Sequence, residues 1–294
     1  MKIPILIPAI TFVALLSACG SDTHRTDQSA HVYNYPSLPI GWTSVDSADA
    51  VVCWMKPIFR DGRNDTDYVI IADLKAGASV RPLDSIASSG LPSPVFHSYS
   101  LTDTNGISYW TLFKIAQTFA MANLMFFDFI TDTTSTAQVC YPIYYEGHFI
   151  SRGCTSGFCG RDQGYAKRMI VISDTGISVM DYIDSVTLSK QLSTSVLAAF
   201  VGNQPVLLTG REPDNPVART YLAKQGRNLI IYSTLYATQK EAYRVIRKDF
   251  QVDSMDIVMF DGGGSTEMIC KGKPYIHSNT NRLVPSAIEI CSAR

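Results

Sequence analysis

Ten consecutive residues hold the densest chemistry in this 294-residue chain: Ile257-Val258-Met259-Phe260-Asp261-Gly262-Gly263-Gly264-Ser265-Thr266. An apolar run stops at a carboxylate, three glycines follow, and two hydroxyls close the segment. The pattern predicts a buried strand that delivers an acid into a glycine turn. Three glycines leave no Cβ to hold a ligand away, and they reach backbone conformations closed to other residues. Successive N–H groups in such a turn form an anion-binding concavity. Asp261 then stands at a strand end, where open α/β sheets often place ligands. The plainer alternative is a tight turn in which Asp261 bonds its own backbone.

The element before this segment is the best defined in the sequence. Thr238-Gln239-Lys240-Glu241 has the form of a capping box, with a hydroxyl at the N-cap and a carboxylate three residues on. Ala242, Val245, Ile246 and Phe250 recur at helical spacing, while Lys240, Arg244, Arg247 and Lys248 fall mostly on other faces and read as solvated. Upstream, Val51–Met55 and Tyr68–Leu74 have strand character and flank a turn at Asp61–Asp65. Further turns are expected at Asp103–Gly106 and Asp174–Gly176, and further strands at Val217–Ala223, Leu229–Tyr232, Glu267–Cys270 and Ala287–Ile290. Lys114–Phe129 has no clear period: Ile115, Phe119 and Ala122 share a helical face, while Met125–Phe129 looks like strand. Its Asn123 and Asp128 need polar partners if buried. The expected fold class is α+β: mixed, mostly antiparallel sheets with flanking helices in a single domain, including one strand–helix–strand unit near the end.

Composition bounds the function. The chain is 46% hydrophobic and 17% charged, which is globular, and its formal net charge of -1 leaves no basic surplus for nucleic acid. At the N-terminus, Lys2 precedes an apolar run from Ile3 to Leu16 that is short for a membrane span. The run ends in Leu16-Ser17-Ala18-Cys19, which resembles the lipobox of bacterial lipoprotein signals. That resemblance implies a leader over residues 1–18, lipidation at Cys19, a polar tether over 19–36 and a domain over 37–294. Gly20 in place of Asp favours the outer membrane, facing the periplasm or the surface. Six other cysteines, Cys53, Cys140, Cys154, Cys159, Cys270 and Cys291, predict disulfides in an oxidising compartment. A local Cys154–Cys159 bridge and a Cys270–Cys291 bridge are the pairings considered. No cysteine or histidine spacing fits a metal site, so no metal and no cofactor is expected.

Two families share the glycine motif. The actin-like ATPase and exopolyphosphatase superfamily has a similar phosphate loop, but only 28 residues follow Thr266 here, too few for that superfamily's second half. The phosphodiester glycosidase family is the nearer resemblance. Its Asp-Gly-Gly-Gly-Ser segment corresponds to Asp261–Ser265, and its Arg and Pro/Val-rich last strand to Arg282-Leu283-Val284-Pro285-Ser286-Ala287-Ile288. Its Gly-Arg loop and Arg-Thr strand resemble Gly210-Arg211 and Ala218-Arg219-Thr220. Its Asn with small residues and a Phe is partly matched by Asn123-Leu124-Met125-Phe126-Phe127, where Leu and Met replace the small residues.

The resemblance implies hydrolysis of the glycosidic bond of a sugar-1-phosphodiester, in envelope glycopolymers or host glycans, with the membrane reached through the lipid anchor. The leaving phosphate monoester is a weak base that needs its charge held more than it needs a proton. Arg219 and Arg282 suit that task. Gly262, Gly263, Gly264, Ser265 and Thr266 add neutral donors, and Asn123 joins them as a binding residue. Asp261 activates water, orients sugar hydroxyls or holds an arginine. Glycosidases usually flank the bond with two carboxylates, and Asp128 and Glu267 are the candidates for the second. A non-catalytic envelope lipoprotein that binds glycans or a protein is the alternative, favoured by Leu124-Met125.

Overall fold

Two-residue turns ending in glycine set the strand registers. Asp61-Gly62, Glu146-Gly147 and Lys271-Gly272 all have positive φ at both positions (44° and 76°, 45° and 87°, 44° and 75°). That geometry matches the twist of paired strands and closes a tight hairpin. The computed structural model describes residues 35–84, 86–88, 94–99, 109, 118–129, 136–154, 164–192, 195–205, 213–277 and 282–293. The predicted leader, Cys19, most of the tether, the Asp103–Gly106 turn and Gly210-Arg211 lie outside the described residues.

Strands β1 (Thr43–Ala48), β2 (Val51–Arg60) and β3 (Arg63–Asp73) come first. They are followed by β4 (Ser79–Asp84), β5 (Ile86–Ser88), β6 (Val95–His97), β7 (Thr118–Asn123), β8 (Phe127–Phe129) and β9 (Thr136–Val139). Next come β10 (Pro142–Tyr145), β11 (His148–Arg152), β12 (Lys167–Ser173) and β13 (Gly176–Tyr182), then helix α1 (Ser185–Gln191). After β14 (Val196–Asn203), β15 (Val217–Gln225) and β16 (Asn228–Ala237) comes helix α2 (Gln239–Asp249). The last strands are β17 (Ile257–Phe260), β18 (Met268–Cys270), β19 (Lys273–Ile276) and β20 (Ser286–Cys291).

These strands form three sheets. The largest runs β1-β2-β3-β16-β15-β17-β14-β10-β11, with β12 joined to β14 and β13 to β12. The second runs β19-β18-β7-β20-β4, and a small third runs β5-β6-β9-β8. The described strand pairs are antiparallel. Since β16 and β17 both pair with β15, they run parallel to each other, and α2 is the crossover between them. The predicted strand–helix–strand unit is therefore present.

The sheets are stacked. One face of the large sheet meets the second sheet: Thr220 of β15 reaches Asn123 of β7. Its other face carries α2, whose Phe250 packs edge-on to Trp42 (4.9 Å) and stacks with Trp54 (6.3 Å). Beyond the second sheet, Met121, Ile269, Ala287 and Phe127 form a smaller apolar cluster. The second sheet is thus covered on both faces, and all six residues of β7 are buried. A strand buried on both faces reads as a continuous apolar run, which explains the missing period in Lys114–Phe129. The helical face drawn through Phe119 and Ala122 is corrected accordingly: both lie on β7. The fold is also richer in strand than a class with flanking helices suggests, with two α-helices among the described residues.

The cysteines need correcting too. Cys270 and Cys291 lie on β18 and β20, with β7 between them. Two strand spacings are about 9–10 Å, too far for a disulfide. Both are buried thiols outside any disulfide, as are Cys53 and Cys140. Burial and the adjacent Cys53 thiol push Cys270 well above the usual thiol range. Cys154 is disulfide-bonded. Cys159 lies outside the described residues.

The capping box at the start of α2 is formed as the sequence requires. Thr238 Oγ1 accepts from the Glu241 N–H, and Glu241 accepts from the Thr238 N–H at 2.8 Å. Partial burial pushes the Glu241 carboxyl up, but the Thr238 N–H and hydroxyl outweigh it and leave it below its ordinary value. A depressed carboxylate contributes stability above its unfolded value, about pH 4.3, and loses it as pH falls through the lower folded value. Glu241→Gln is expected to cost about 0.5–1 kcal/mol in urea unfolding at pH 7. The difference from wild type should shrink towards zero in strong acid, and an equal difference at both pH values would contradict this.

Candidate active site

One buried amide assembles the site. Asn123, the last residue of β7, is 1% exposed. Its Nδ2 donates to the Asp261 carbonyl at 2.7 Å. Its Oδ1 accepts from the Thr220 hydroxyl of β15 at 2.8 Å and from the Glu267 N–H at 3.2 Å. The chain around it is fixed by backbone bonds: Asp261 N–H to Leu124 O (3.1 Å), Asn123 N–H to Glu267 O (3.1 Å) and Leu124 N–H to Ser286 O (3.3 Å). Asn123 thus joins the end of β7, the strand carrying Arg219, and both ends of the glycine segment.

The glycine segment is a short 3-10 turn over Gly263–Ser265. Ser265 N–H bonds back to Gly262 O and Thr266 N–H to Gly263 O, both at 3.2 Å. The Asp261 carboxylate accepts from the Gly262 N–H at 3.0 Å, so the Asx-type bond of the plain-turn alternative is present. Two of the glycines are required. A Cβ on Gly262 would stand 2.5 Å from the Ala218 carbonyl, and Gly263 has φ +61°. The first glycine lets β15 lie against the turn, and the second reverses the chain.

A cleft of about 260 Å³ opens at this point. Arg219, Asp261, Gly262, Gly263, Gly264 and Arg282 form its polar side. Phe126, Phe127, Val217, Met259 and Phe260 form its apolar side. Arg219 is buried, with Nε donating to Ala237 O at 3.2 Å and an Nη to Asn215 O at 2.8 Å. The neighbouring buried arginine is held differently: Arg60 meets Asp67 with two bonds of 2.7 Å and also Asp65. Arg60 is thus bound into a local ion pair, and backbone carbonyls help to position the Arg219 guanidinium. Behind Arg219, Tyr221 is fully buried, and burial holds its phenol well above the usual tyrosine range although the Arg219 charge acts to lower it. Arg282 is exposed, with its guanidinium 6.0 Å from the centre of the Phe127 ring.

Of the residues singled out in the sequence, Asp261, Arg219, Arg282 and the three glycines share this cleft. Asn123 stands behind it as a bracket. Ser265 and Thr266 are fully buried, do not line the cleft, and have hydroxyls with no hydrogen-bond partner among the described residues. Asp128 follows the cleft residue Phe127 on β8 and is not among the described residues that line the cleft. Glu267 is fully buried, with His277 at 3.9 Å, and is not a lining residue. Asp261 is the one carboxylate among the described lining residues. Leu124 and Met125 are buried in the core, so replacing small residues with these two does not fill the cleft. The sequence did not single out Phe126 and Phe127 as lining residues. The signal was their position directly after the Asn123 segment, where an aromatic pair follows a bracket residue.

No protein-family signature matches the chain, and no curated protein matches it in sequence. Solved structures are similar to it. One is the catalytic domain of zebrafish N-acetylglucosamine-1-phosphodiester alpha-N-acetylglucosaminidase, auto-inhibited by its pro-peptide. It is similar with a TM-score of 0.54 at 15% identity, over 89% of this chain and 87% of that one. Another is a hypothetical protein from Synechocystis, with a TM-score of 0.49 at 11% identity, over 86% of this chain and 64% of that one.

Two substitutions test this geometry. Asn123→Leu conserves approximate size but strips three partners of a buried bond, and is expected to cost about 2–4 kcal/mol in urea unfolding. A loss below about 1 kcal/mol would show that the amide is not the bracket. Gly262→Ala should lower stability by about 1–3 kcal/mol through forced displacement of β15 from the turn. An unchanged unfolding midpoint would contradict the contact with Ala218.

Proposed function

We propose that the cleft hydrolyses the glycosidic bond of sugar-1-phosphodiesters, of the kind in which N-acetylglucosamine is linked through its anomeric carbon to phosphate. The observation that carries this reading is the charge of the lining: among the described residues two guanidinium groups line the cleft with a single carboxylate. An ordinary glycoside needs one carboxyl group to protonate the leaving oxygen and another to work on the opposite side of the sugar. A phosphate monoester leaves without a proton but needs its developing charge stabilised, which is what two arginines supply. The fold shared with the zebrafish enzyme supports the same class.

In this mechanism Arg219 and Arg282 grip the phosphate, and the backbone of Gly262–Gly264 lies against its remaining oxygens. The bond between the anomeric carbon and the bridging oxygen breaks, and both electrons leave with the phosphate monoester. Water supplies the new C–O bond, and its proton passes to the Asp261 carboxylate. The Gly262 N–H fixes the orientation of that carboxylate. Backbone carbonyls help to position Arg219. The Phe126 and Phe127 side offers an apolar surface for the face of a sugar ring. Asp128 has no role in this scheme. The chain is read as an exported lipoprotein of the outer membrane, anchored through Cys19 and tethered by residues 19–36, on the strength of Leu16-Ser17-Ala18-Cys19.

The test is direct. The soluble domain is incubated with an N-acetylglucosamine-1-phosphodiester and free sugar is measured. Asp261→Ala and Arg219→Ala are expected to lower kcat/KM by about 10²–10⁴-fold each while remaining folded. Arg282→Ala, at the exposed rim, should act mainly on KM. A folded wild-type protein that releases no sugar from a panel of such diesters would overturn the assignment. Variants that keep full activity would overturn the roles.

A further inference from the structure

Helix α2 presents a second feature that the cleft chemistry does not use. Lys240, Arg244, Arg247 and Lys248 are all exposed, and with the half-buried Tyr243 they line a shallow groove of about 410 Å³. Positions 240, 244, 247 and 248 follow helical spacing, so the four charges run along one side of the helix over about 12 Å. The helix has two acids, and neither forms an ion pair with them: Glu241 feels the Arg244 charge without pairing with it. Glu241 is folded back onto the Thr238 N–H and hydroxyl. Asp249 accepts from Lys56 Nζ (2.8 Å) and from Trp42 Nε1 (2.9 Å). Asp253, within the field of Arg247, is turned onto the Met255 N–H. Among the described residues no carboxylate makes a salt bridge with any of the four cations. In a chain with 25 basic and 26 acidic residues, this is a local concentration of positive charge, not an overall excess.

The start of the helix is tied to the cleft wall through the end of β16. The Ala237 carbonyl that holds Arg219 is the last residue of β16, and the helix starts two residues later. Val217, another cleft residue, is the register partner of Ala237. Tyr243 lies under the Arg247 guanidinium, 5.7 Å from ring centre to cation, giving an aromatic surface beside the charges. The apolar residues of the helix, Ala242 and Ile246, are spent in the core. The exposed side therefore offers cations and one ring but no apolar row to insert into a lipid surface. A concave basic groove with an aromatic edge fits a chain of sugars that carries repeated negative charge.

We propose that the α2 groove binds the continuing chain of a polyanionic, phosphodiester-linked glycan while one of its linkages occupies the cleft. The proposal deepens the hydrolase reading by making the substrate a polymer, and it rests on that reading only for the identity of the linkage. The four cations hold phosphates beyond the scissile one, and Tyr243 contacts an intervening sugar. They touch no reacting atom, so they act on affinity for the polymer and leave small diesters unaffected.

The experiment measures binding of an end-labelled poly(N-acetylglucosamine 1-phosphate) chain by fluorescence anisotropy at low and high salt. A neutral N-acetylglucosamine oligomer and phosphatidylglycerol vesicles are run alongside. K240Q/R244Q/R247Q/K248Q keeps good helix formers at every position. It is expected to weaken polymer binding about tenfold or more and to flatten its salt dependence, with small-diester turnover unchanged. R244K/R247K, which keeps the charge, should bind nearly as wild type does. Asp261→Ala should still bind the polymer, so a failure of the hydrolase reading shows separately as absent sugar release with binding intact. Equal polymer binding by the fourfold variant and wild type overturns the proposal. Binding to the vesicles but not to the polymer also overturns it, and makes the helix a membrane-docking face.

Discussion

Asn123 is the interaction on which the rest of the site depends. A single amide donates to the Asp261 carbonyl and accepts from both the Thr220 hydroxyl and the Glu267 N–H, all inside the buried core. Three elements that are remote in sequence, β7, β15 and the glycine turn, are fixed relative to one another at the atom where they meet. The Asp261 carboxylate inherits its place from that bond, and Arg219 is the neighbour of Thr220 on the same strand. The cleft is a by-product of this bracket. Buried polar groups of this kind are costly when incomplete and rigidifying when complete, and here both ends of the amide are used.

The glycine turn makes sense in the same frame. β15 approaches so closely that a methyl group at position 262 would enter the Ala218 carbonyl, and the chain then needs φ > 0 at 263 to come back. The price of three flexible residues is offset by enclosure between β15 and the Asn123 bracket. What results is a backbone surface that shares its cleft with one carboxylate and two guanidinium groups among the described residues. Such a site is poorly equipped to protonate a strongly basic leaving group and well equipped to hold an anion. The basic groove of α2 extends the same preference for negative charge beyond the cleft.

How much of this was legible in the sequence depended on range. The capping box of α2, the β12–β13 hairpin and the strand before Asp261 are local patterns, and each is formed. The cluster of Asp261, Arg219, Arg282 and the glycines was reached through the resemblance of their motifs to a family, and the shared cleft agrees with that grouping. β7 was obscure because a strand covered on both faces has no polar period to read. Asp128 stands one step along β8 from a cleft residue without lining the cleft, and the phase of so short a strand is set by its neighbours, which local sequence does not reveal. Ser265 and Thr266 lie inside the core, not in the cleft, because the 3-10 turn rotates the chain inward after Gly264. The Cys270–Cys291 pairing failed for a topological reason, since β7 stands between the two thiols.

The central claim is that the phosphate of the substrate sits between Arg219 and Arg282 with the anomeric carbon beside Asp261. A crystal structure of the Asp261→Asn variant soaked with N-acetylglucosamine 1-phosphate tests it most directly. The account predicts phosphate oxygens within hydrogen-bonding distance, about 2.7–3.1 Å, of both guanidinium groups, and the sugar against Phe126 and Phe127. A phosphate bound elsewhere, or a sugar placed with its anomeric carbon facing away from residue 261, would contradict it.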